Sequence, residues 1–503
     1  MTGDVTMRIS RPAAFLVLTV LLAGCRMGPN YKRPEMTIPD QHRFVDPPVP
    51  VPAEGDEAAT LADEPFWQVF GDPALQDLIR EAIANNLDLR TAAARVEEAR
   101  AIAGIAKSFL FPEFNVTGAY TAQGASRVSQ PPQDVDGDRN FQNWNAGFTL
   151  AWEIDIWGRV RRQNEAAFAR YLSTEQGRRG VFITLVGDVA SDYFLLRQLD
   201  RQLEIANDTL RLNDETVVYY RNRLQGGVSN QLELDQAIGN RAITASAIPD
   251  IERQIALVEN GLSVLLGRVP GPIVRGAPLG EQTFPPTIPP GLPAQLLERR
   301  PDVVEAEQLL VGANADIGAA KALFFPTISL TGLFGVVSGD LSDFLKSDAT
   351  VWSLGAGLFQ PIFQAGRIKR NYEAALARNE QALAQYRKAA LNAYREVADS
   401  LVTIQKLAEA KVEIESGVEA LRDASKLSRL RYDTGLSNYL EILIADQQLF
   451  QQELQLARTQ GDQHRAIAQF YRTLGGGWSP EAEAKEDEDG EDGEDKGKDE
   501  KNP

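Results

Sequence analysis

The chain has 503 residues, of which 43% are hydrophobic and 24% are charged, as is ordinary for a folded protein. Its formal net charge is -18, and it has no basic patch interleaved with aromatic residues, which argues against a nucleic-acid partner. The single cysteine, Cys25, excludes a disulfide framework within the chain.

The N-terminus has the pattern of a secretion signal. Arg8 and Arg11 form a basic start, and the apolar run at 13–22 is too short to span a membrane. The same pattern is complete from Met7 onward, so Met1 and Met7 are both candidate starts.

The signal ends in Leu22-Ala23-Gly24-Cys25, which resembles the bacterial lipoprotein box. In that box the cysteine becomes the first residue and carries acyl chains such as palmitate. Lipoproteins retained in the inner membrane have aspartate at the next position, whereas Arg26 stands there and favours the outer membrane. We therefore predict lipidation at Cys25, with an ordinary signal and an unmodified cysteine as the alternative.

The rest of the first half predicts a proline-rich extended segment, a helix, two strands of a hairpin, a very long helix, a turn and a return helix. The extended segment is placed at 26–63, the helix at 72–107 and the two strands at 114–123 and 144–154. The very long helix is placed at 158–224, the turn at 226–230 and the return helix at 231–266. At 1.5 Å per residue the very long helix would measure about 100 Å, far more than a globular core requires. Pro249 predicts a kink in the return helix, and Ser229 or Asn230 is placed to cap it.

The second half follows a connector rich in proline and glycine and repeats this order. Its helix is placed at 296–323 and its two strands at 327–337 and 351–363. The very long helix is placed at 366–432, the turn at 434–438 and the return helix at 439–474. The tail from Glu481 to Pro503 has 12 acidic residues against 4 lysines, so it supplies -8 of the net charge. We expect this tail to be disordered.

Three landmarks recur in the same order in both halves, which indicates a tandem duplication of a unit of about 210 residues. Residues 107–118 match residues 321–332, which are 214 positions later. Residues 158–159 match 366–367 and residues 223–234 match 431–442, and both of these pairs are 208 positions apart. The predicted regions are a lipoprotein signal peptide (1–24), an acylated extended segment (25–71), a first repeat (72–268, hairpin about 112–156), a connector (269–293), a second repeat (294–477, hairpin about 326–363) and an acidic tail (478–503).

The lengths of the helices favour a rod, because two short helices placed end to end match one very long helix in each half. Four strands per chain cannot close a barrel alone, and their apolar faces have no partner in the chain. Three copies would supply twelve strands, within the range of outer-membrane barrels, with Trp144, Trp152 and Trp352 at the lipid interfaces. The alternatives are a soluble sandwich edge for the strands and a closed coiled coil for the helices.

Four motifs stand in a fixed order along the chain. They are Cys25 with Gly28-Pro29-Asn30-Tyr31-Lys32-Arg33-Pro34; Arg299-Arg300-Pro301-Asp302 with Glu305-Ala306-Glu307; Phe325-Pro326 with Leu330-Thr331-Gly332; and Gly435-Leu436-Ser437-Asn438-Tyr439-Leu440. From Cys25 to Gly475 the chain resembles the outer-membrane efflux lipoproteins of the TolC superfamily, in the OprM and NodT branch.

This resemblance implies a mixed α and β membrane protein, a TolC-like homotrimer with two tandem repeats in each chain. Its 12-stranded β-barrel would cross the outer membrane, and its long α-helical barrel would extend into the periplasm. The implied function is that of a passive conduit for small molecules. A periplasmic adaptor protein would join it to an inner-membrane efflux pump.

The resemblance also implies a periplasmic gate just after the second Ser-Asn turn, made of a hydrophobic ring and an acidic ring. Leu440 matches the hydrophobic position, whereas Ile444 occupies the acidic position. Asp446 or Glu441 is the candidate replacement, although a shift of two residues rotates a side chain by about 200° around a helix. Ordinary helix packing or a solvated face is the alternative for each of these residues.

No catalytic, metal or cofactor site is predicted. His42 and His464 are isolated in the sequence, and no phosphate-binding loop is present. Arg159, Arg161 and Arg162 are expected to form a solvated or headgroup-facing cluster. Two other functions compete with the conduit: a lipid-anchored structural rod that does not conduct, and an anchored periplasmic enzyme, for which we find no clustered site.

Overall fold

The computed structural model describes residues 26–37, 69–124, 140–283 and 296–476. The signal peptide, Cys25 and the acidic tail predicted above lie outside these residues. The helices and strands are α1 (Pro73–Asn85), α2 (Leu87–Ser108), β1 (Glu113–Gly124), β2 (Asn140–Ile154), α3 (Arg159–Gln225), α4 (Gln231–Leu265), α5 (Leu296–Arg299), α6 (Pro301–Ala322), β3 (Thr327–Ser338), β4 (Thr350–Phe359), α7 (Arg367–Asp433) and α8 (Tyr439–Thr473).

The chain divides into two compact units, and each of them contains segments of both repeats. The sheet unit, which holds β1 to β4, comprises Met1–Glu35, Arg95–Thr174 and Glu305–Tyr386. The helical unit, which holds both Ser-Asn turns, comprises Met36–Ala94, Glu175–Val304 and Arg387–Pro503.

Both very long helices are confirmed, since α3 and α7 have 67 residues each. The return helices α4 and α8 have 35 residues each, and α4 runs through Pro249 without a break. Among the residues described, no helix combines the length and the apolar character needed to cross a membrane.

The prediction of a single helix over residues 72–107 is wrong, because the helix is interrupted at Asn86, between α1 and α2. This residue is extended, with ψ of 130°, and it ends α1. Its side chain accepts a hydrogen bond from the N–H of Leu89 at 2.9 Å and so caps α2. Its amide also donates to the carbonyl oxygen of Leu265 at 2.9 Å. The residue that interrupts the helix is thus also held by a contact 179 positions away.

The helix expected over residues 296–323 is also broken, at Arg300. Pro301 begins α6, and a proline disfavours helical geometry in the residue before it. β4 also ends earlier than expected, at Phe359 rather than at Phe363. Pro361, two residues later, has no N–H to donate to a strand ladder.

The four strands form one antiparallel sheet in the order β1-β2-β3-β4. Residues directly opposite each other lie on the same face, so the observed register sorts the alternating residues into two faces. One face is largely apolar and carries no charged residue in the four strands. Its large apolar members are Phe114, Val116, Tyr120, Trp144, Phe148, Leu150, Trp152, Ile154, Ile328, Leu330, Phe334, Val336, Trp352, Leu354 and Leu358.

The opposite face of the sheet is polar along most of its length. Its polar members include Asn115, Thr117, Asn145, Thr149, Ser329, Thr331 and Ser353. Two carboxylates, Glu113 and Glu153, are the charged residues on this face within the four strands. The expected alternation is therefore confirmed, and the register extends it across the whole sheet.

The helical unit has its main core where α1 meets the middle of α3 and the ends of α4 and α8. Its buried members include Leu75, Leu78, Ile79, Tyr193, Phe194, Leu262, Ile467 and Phe470. Asp72 holds the start of α1 in place. Its carboxylate accepts from the N–H of Ala74 at 2.9 Å and from the hydroxyl of Tyr193 at 2.6 Å.

Candidate functional site

The two Ser-Asn turns lie side by side in the helical unit. Gly227 and Gly435 occupy matching positions in them, 208 residues apart, with φ of 71° and 75°. Such left-handed geometry favours glycine, which explains why both repeats have it there. Asn230 caps α4 by accepting from the N–H of Glu233 at 3.0 Å, as predicted, whereas Asn438 begins α8 without a side-chain cap.

A tyrosine cluster joins the two turns. Tyr220 is buried, and its ring centroid lies 4.4 Å from that of Tyr439 and 5.9 Å from that of Tyr432. The guanidinium of Arg223 lies over the ring of Tyr432, 5.6 Å from its centroid. Burial raises the pKa of Tyr439 to about 12, so this phenol stays neutral at ordinary pH. The cluster holds the ends of α3 and α7 together.

The hydrophobic gate candidate, Leu440, lies outside the buried core next to it. It is 47% exposed, and Ile444, one turn further along α8, is 46% exposed. The neighbouring Tyr439 and Ile442 are buried in the core. Leu440 and Ile444 therefore form an outward stripe on α8. The first repeat has a counterpart, because Leu232 lies 208 positions before Leu440 and is also exposed.

Asp446 points in another direction from this stripe. Its carboxylate accepts from the guanidinium of Arg429 at 2.7 Å and from the hydroxyl of Ser425 at 2.6 Å, both on α7. The structure therefore does not bring Asp446 onto the face of Leu440. Glu441 is half-exposed and lies 3.6 Å from Arg431.

A buried amide layer further along the bundle was missed in the sequence. Asn213 of α3 donates to Thr244 of α4 at 2.9 Å and accepts from Asn240 at 3.1 Å. Gln447 of α8 donates to Asn240 at 3.1 Å. Such a network satisfies its own polar groups and sets the register of three helices. The only sequence signal was a pair of polar residues, Asn240 and Thr244, four apart on an otherwise apolar face.

In the sheet unit, the segment that follows Cys25 is bound to α6. Glu307 accepts from the hydroxyl of Tyr31 at 2.9 Å. The same carboxylate receives two hydrogen bonds of 2.8 Å from Arg33, in a bidentate pair. Glu307 is only 6% exposed, so its charge is compensated by the N-terminal segment. Two motifs that stand about 275 residues apart in the sequence thus meet in space.

The same segment is bound to α3 by Arg162. Its Nε donates to the carbonyl oxygen of Met27 at 3.1 Å, and its Nη2 donates to Asn30 at 2.8 Å. Gly28 has φ of 88°, and a Cβ there would lie 2.5 Å from the Cα of Gly318. Glycine is thus required on both sides of this contact. We call residues 26–33 the strap.

The expectation that three arginines form a solvated or headgroup-facing cluster is wrong. Arg159 makes a bidentate pair with Glu153 at 2.6 and 3.0 Å. Arg161 is paired with Asp155, whose carboxylate also accepts from the first N–H groups of α3. Arg162 is 1% exposed and holds the strap. Carboxylates and carbonyls of the same chain thus pair with all three guanidinium groups.

Comparison with known proteins bears on this arrangement. The family model described as outer membrane efflux protein matches residues 78–268 and 292–476, which is more than half of the chain. The solvent efflux pump outer membrane protein SrpC of Pseudomonas putida is 35% identical over 470 residues, 92% of this chain and 97% of that protein. The probable outer membrane lipoprotein SilC of Salmonella typhimurium is 33% identical over 461 residues, 91% of this chain and 97% of that protein.

A third relative shares its name with a protein of known structure. The cation efflux system protein CusC of Escherichia coli O6:H1 is 33% identical over 472 residues, 93% of this chain and 99% of that protein. A crystal structure of CusC, solved in a study of folding and transmembrane channel formation, matches with a TM-score of 0.78 and 32% identity. The match covers 90% of this chain and 100% of the solved one.

Proposed function

Because the chain belongs to the outer membrane efflux protein family, we propose that it is the passive conduit of a tripartite efflux system. It is an outer-membrane efflux component with a TolC-like fold. The observation that carries the conduit is the sheet, which has one apolar face, one largely polar face and two edges. Three copies would close these edges into twelve strands, with the apolar face toward lipid and the polar face toward a wet lumen.

The partners follow from the same proposal. The conduit takes small molecules from an inner-membrane pump through a periplasmic adaptor protein. Its relatives are named for solvent efflux and for cation efflux, so family membership does not select the cargo. In this proposal the pump selects it.

The N-terminal anchor belongs to the proposal as well. Acylation of Cys25 would fix the chain to the outer membrane immediately before the strap. The strap supports this assignment, because its hydrogen bonds to Arg162 and Glu307 hold the chain from Met27 onward on the sheet unit. SilC is itself named an outer membrane lipoprotein.

The primary test is the mass and the ion conductance of the mature lipoprotein, extracted in detergent. The conduit predicts a trimer that opens discrete channels in a planar bilayer. A monomer would contradict the proposal, and so would an oligomer that never conducts. Either result would favour the non-conducting rod, which shares the helices and the anchor but needs no lumen.

The gate is proposed at the Ser-Asn turn of the second repeat. Leu440 forms the hydrophobic constriction, with Ile444 on the same stripe. Asp446 acts by holding α8 on α7 through Arg429, and Glu441 is the second acidic candidate.

We expect Asp446→Ala and Leu440→Ala to increase channel opening. A charge-assisted hydrogen bond contributes about 1.5–3 kcal/mol, so losing the contact with Arg429 should raise the open-to-closed ratio roughly tenfold or more. Leu440→Ala should raise it by removing apolar bulk from the constriction. Single-channel recording measures the ratio. Leu436→Ala is the control, since Leu436 is an exposed leucine in the same turn. Equal opening in all variants would remove the gate assignment but leave the conduit standing.

A further inference from the structure

Each very long helix begins with a left-handed glycine followed by a turn of three cations. The glycines, Gly158 and Gly366, are 208 positions apart and have φ of 75° and 83°. The same offset matches Glu165 to Glu373, a carboxylate on the next turn of each helix. The matched cations are Arg159, Arg161 and Arg162 in α3 and Arg367, Lys369 and Arg370 in α7. We call the three cations of α7 the basic turn.

The two junctions differ in the residues that come before the glycine. In the first repeat, the carboxylates of Glu153 and Asp155 pair with the first two arginines of α3. The offset of 208 places Pro361 and Phe363 at the positions of these carboxylates. The basic turn therefore has no counterpart of either ion pair.

The charge balance of the two junctions differs as a result. Residues 153–165 contain three cations and three carboxylates, so their formal net charge is 0. Residues 361–373 contain three cations and one carboxylate, so their formal net charge is +2. The second repeat thus has the same cations with two carboxylates fewer.

The basic turn projects into solvent, with its contacts close along the chain. Arg370 donates to Glu373 at 2.8 Å, and Lys369 lies 3.8 Å from the same carboxylate. Arg367 donates to the side chain of Gln364 at 3.1 Å. The side chains of Lys369 and Arg370 are 72% and 79% exposed. In contrast, the arginine of α3 that matches Arg370 is buried and holds the strap.

The position of the basic turn relative to the sheet fits a membrane surface. β4 has 10 residues, the length with which a tilted strand crosses the hydrocarbon layer. Between β4 and α7, Ile362 and Phe363 are 91% and 86% exposed. α7 begins at Arg367, and its first turn rises only about 5 Å, which is within the thickness of a headgroup layer. In the proposed barrel, exposed apolar side chains are thus followed by cations, as acyl chains are followed by phosphate groups.

We infer that the basic turn of α7 binds the phosphate groups of anionic phospholipids at the surface of the membrane. Phosphate complements the excess of positive charge, and a guanidinium can bind it with two parallel hydrogen bonds. Each arginine or lysine near an anionic lipid surface strengthens the attraction about fivefold. The exposed apolar residues just before the basic turn favour a lipid over a soluble phosphate compound. This inference rests on the proposed barrel and adds a lipid class to it.

Lipid binding to the mature lipoprotein, extracted in detergent, tests the basic turn. Phosphatidylglycerol and phosphatidylcholine with the same acyl chains are titrated separately, and native mass spectrometry counts the lipids that the oligomer retains. The wild type should bind phosphatidylglycerol roughly tenfold or more tightly, because this lipid alone has a net negative charge. The triple variant Arg367→Gln, Lys369→Gln, Arg370→Gln should lose most of that preference.

The matched control removes the same charge from the same helix at a greater depth. Arg378→Gln, Arg387→Gln, Lys388→Gln replaces three exposed cations of α7 that lie eight or more residues beyond the basic turn, or about 12 Å of helix rise. The control should keep the preference for phosphatidylglycerol. A second variant, Pro361→Glu with Phe363→Asp, restores the two carboxylates of the first repeat and keeps the cations. It should lose the preference as the triple variant does.

Two results would overturn the lipid assignment and leave the conduit standing. One is a conducting wild type without a preference for phosphatidylglycerol, and the other is a preference that the triple variant and the control reduce equally. A triple variant that loses its trimer while the wild type shows no lipid preference would assign the cations to a second copy of the chain instead. A wild type that forms no oligomer would overturn the proposed function itself.

Discussion

At the scale of single residues, His464 shows how burial changes the pKa of a side chain. Its ring is buried and stacks on Phe194, with centroids 4.8 Å apart. Burial, together with the positive charge of Lys411, lowers its pKa to about 4. The histidine is isolated in the sequence, and the fold makes it a neutral aromatic member of the helical core.

This pKa predicts a pH-dependent stability. Between pH 6.5 and 4 the unfolded chain binds a proton at His464 that the folded chain does not bind, so folding weakens as the pH falls. The cost should be about 2 kcal/mol at pH 5 relative to pH 7.5. Chemical denaturation of wild type and His464→Gln at both pH values measures it. The wild type should lose about that much more stability than the variant, and equal losses would contradict a depressed pKa.

At the scale of elements, the strap shows how a segment without regular structure becomes fixed. It has no helix or strand, yet Glu307 and Arg162 bind its side chains and backbone at 2.8–3.1 Å. Glu307 is buried, so removing its carboxylate would leave Tyr31 and Arg33 without this partner. The strap is thus stabilised by tertiary contacts rather than by local propensity.

We therefore expect Glu307→Ala to expose the strap to protease. Loss of the bidentate pair, about 1.5–3 kcal/mol, should raise trypsin cleavage after Lys32 roughly tenfold or more. Limited proteolysis of the folded protein followed by mass spectrometry measures this rate. The control is Glu98→Ala, which removes an exposed glutamate of the same unit. Equal rates in the two variants would show that the strap is held by other contacts.

At the scale of the whole molecule, the duplication accounts for the strand pairings of the sheet and for its two outer edges. The chain forms three strand pairings in one sheet, and the middle one joins the two repeats. At the two outer edges of the sheet, Ile362 and Phe111 are exposed. In the proposed assembly, further copies of the chain cover these edges.

The sequence by itself determined the elements and the order in which they occur. The four strands, the two very long helices and the two turns have local signals, and the structure confirms them. The duplication was equally visible, because it needs only a comparison of the chain with itself. Family membership followed from motifs that each extend over a few residues.

Only the tertiary structure decided which distant residues meet. Asn86 at the end of α1 meets Leu265, Asp446 meets Arg429, and Arg162 meets the strap. The pairing of β2 with β3 likewise joins residues almost 200 positions apart. Local propensity and periodicity indicate which face of an element is buried, but not which element covers it, because that choice rests on contacts between segments remote in sequence.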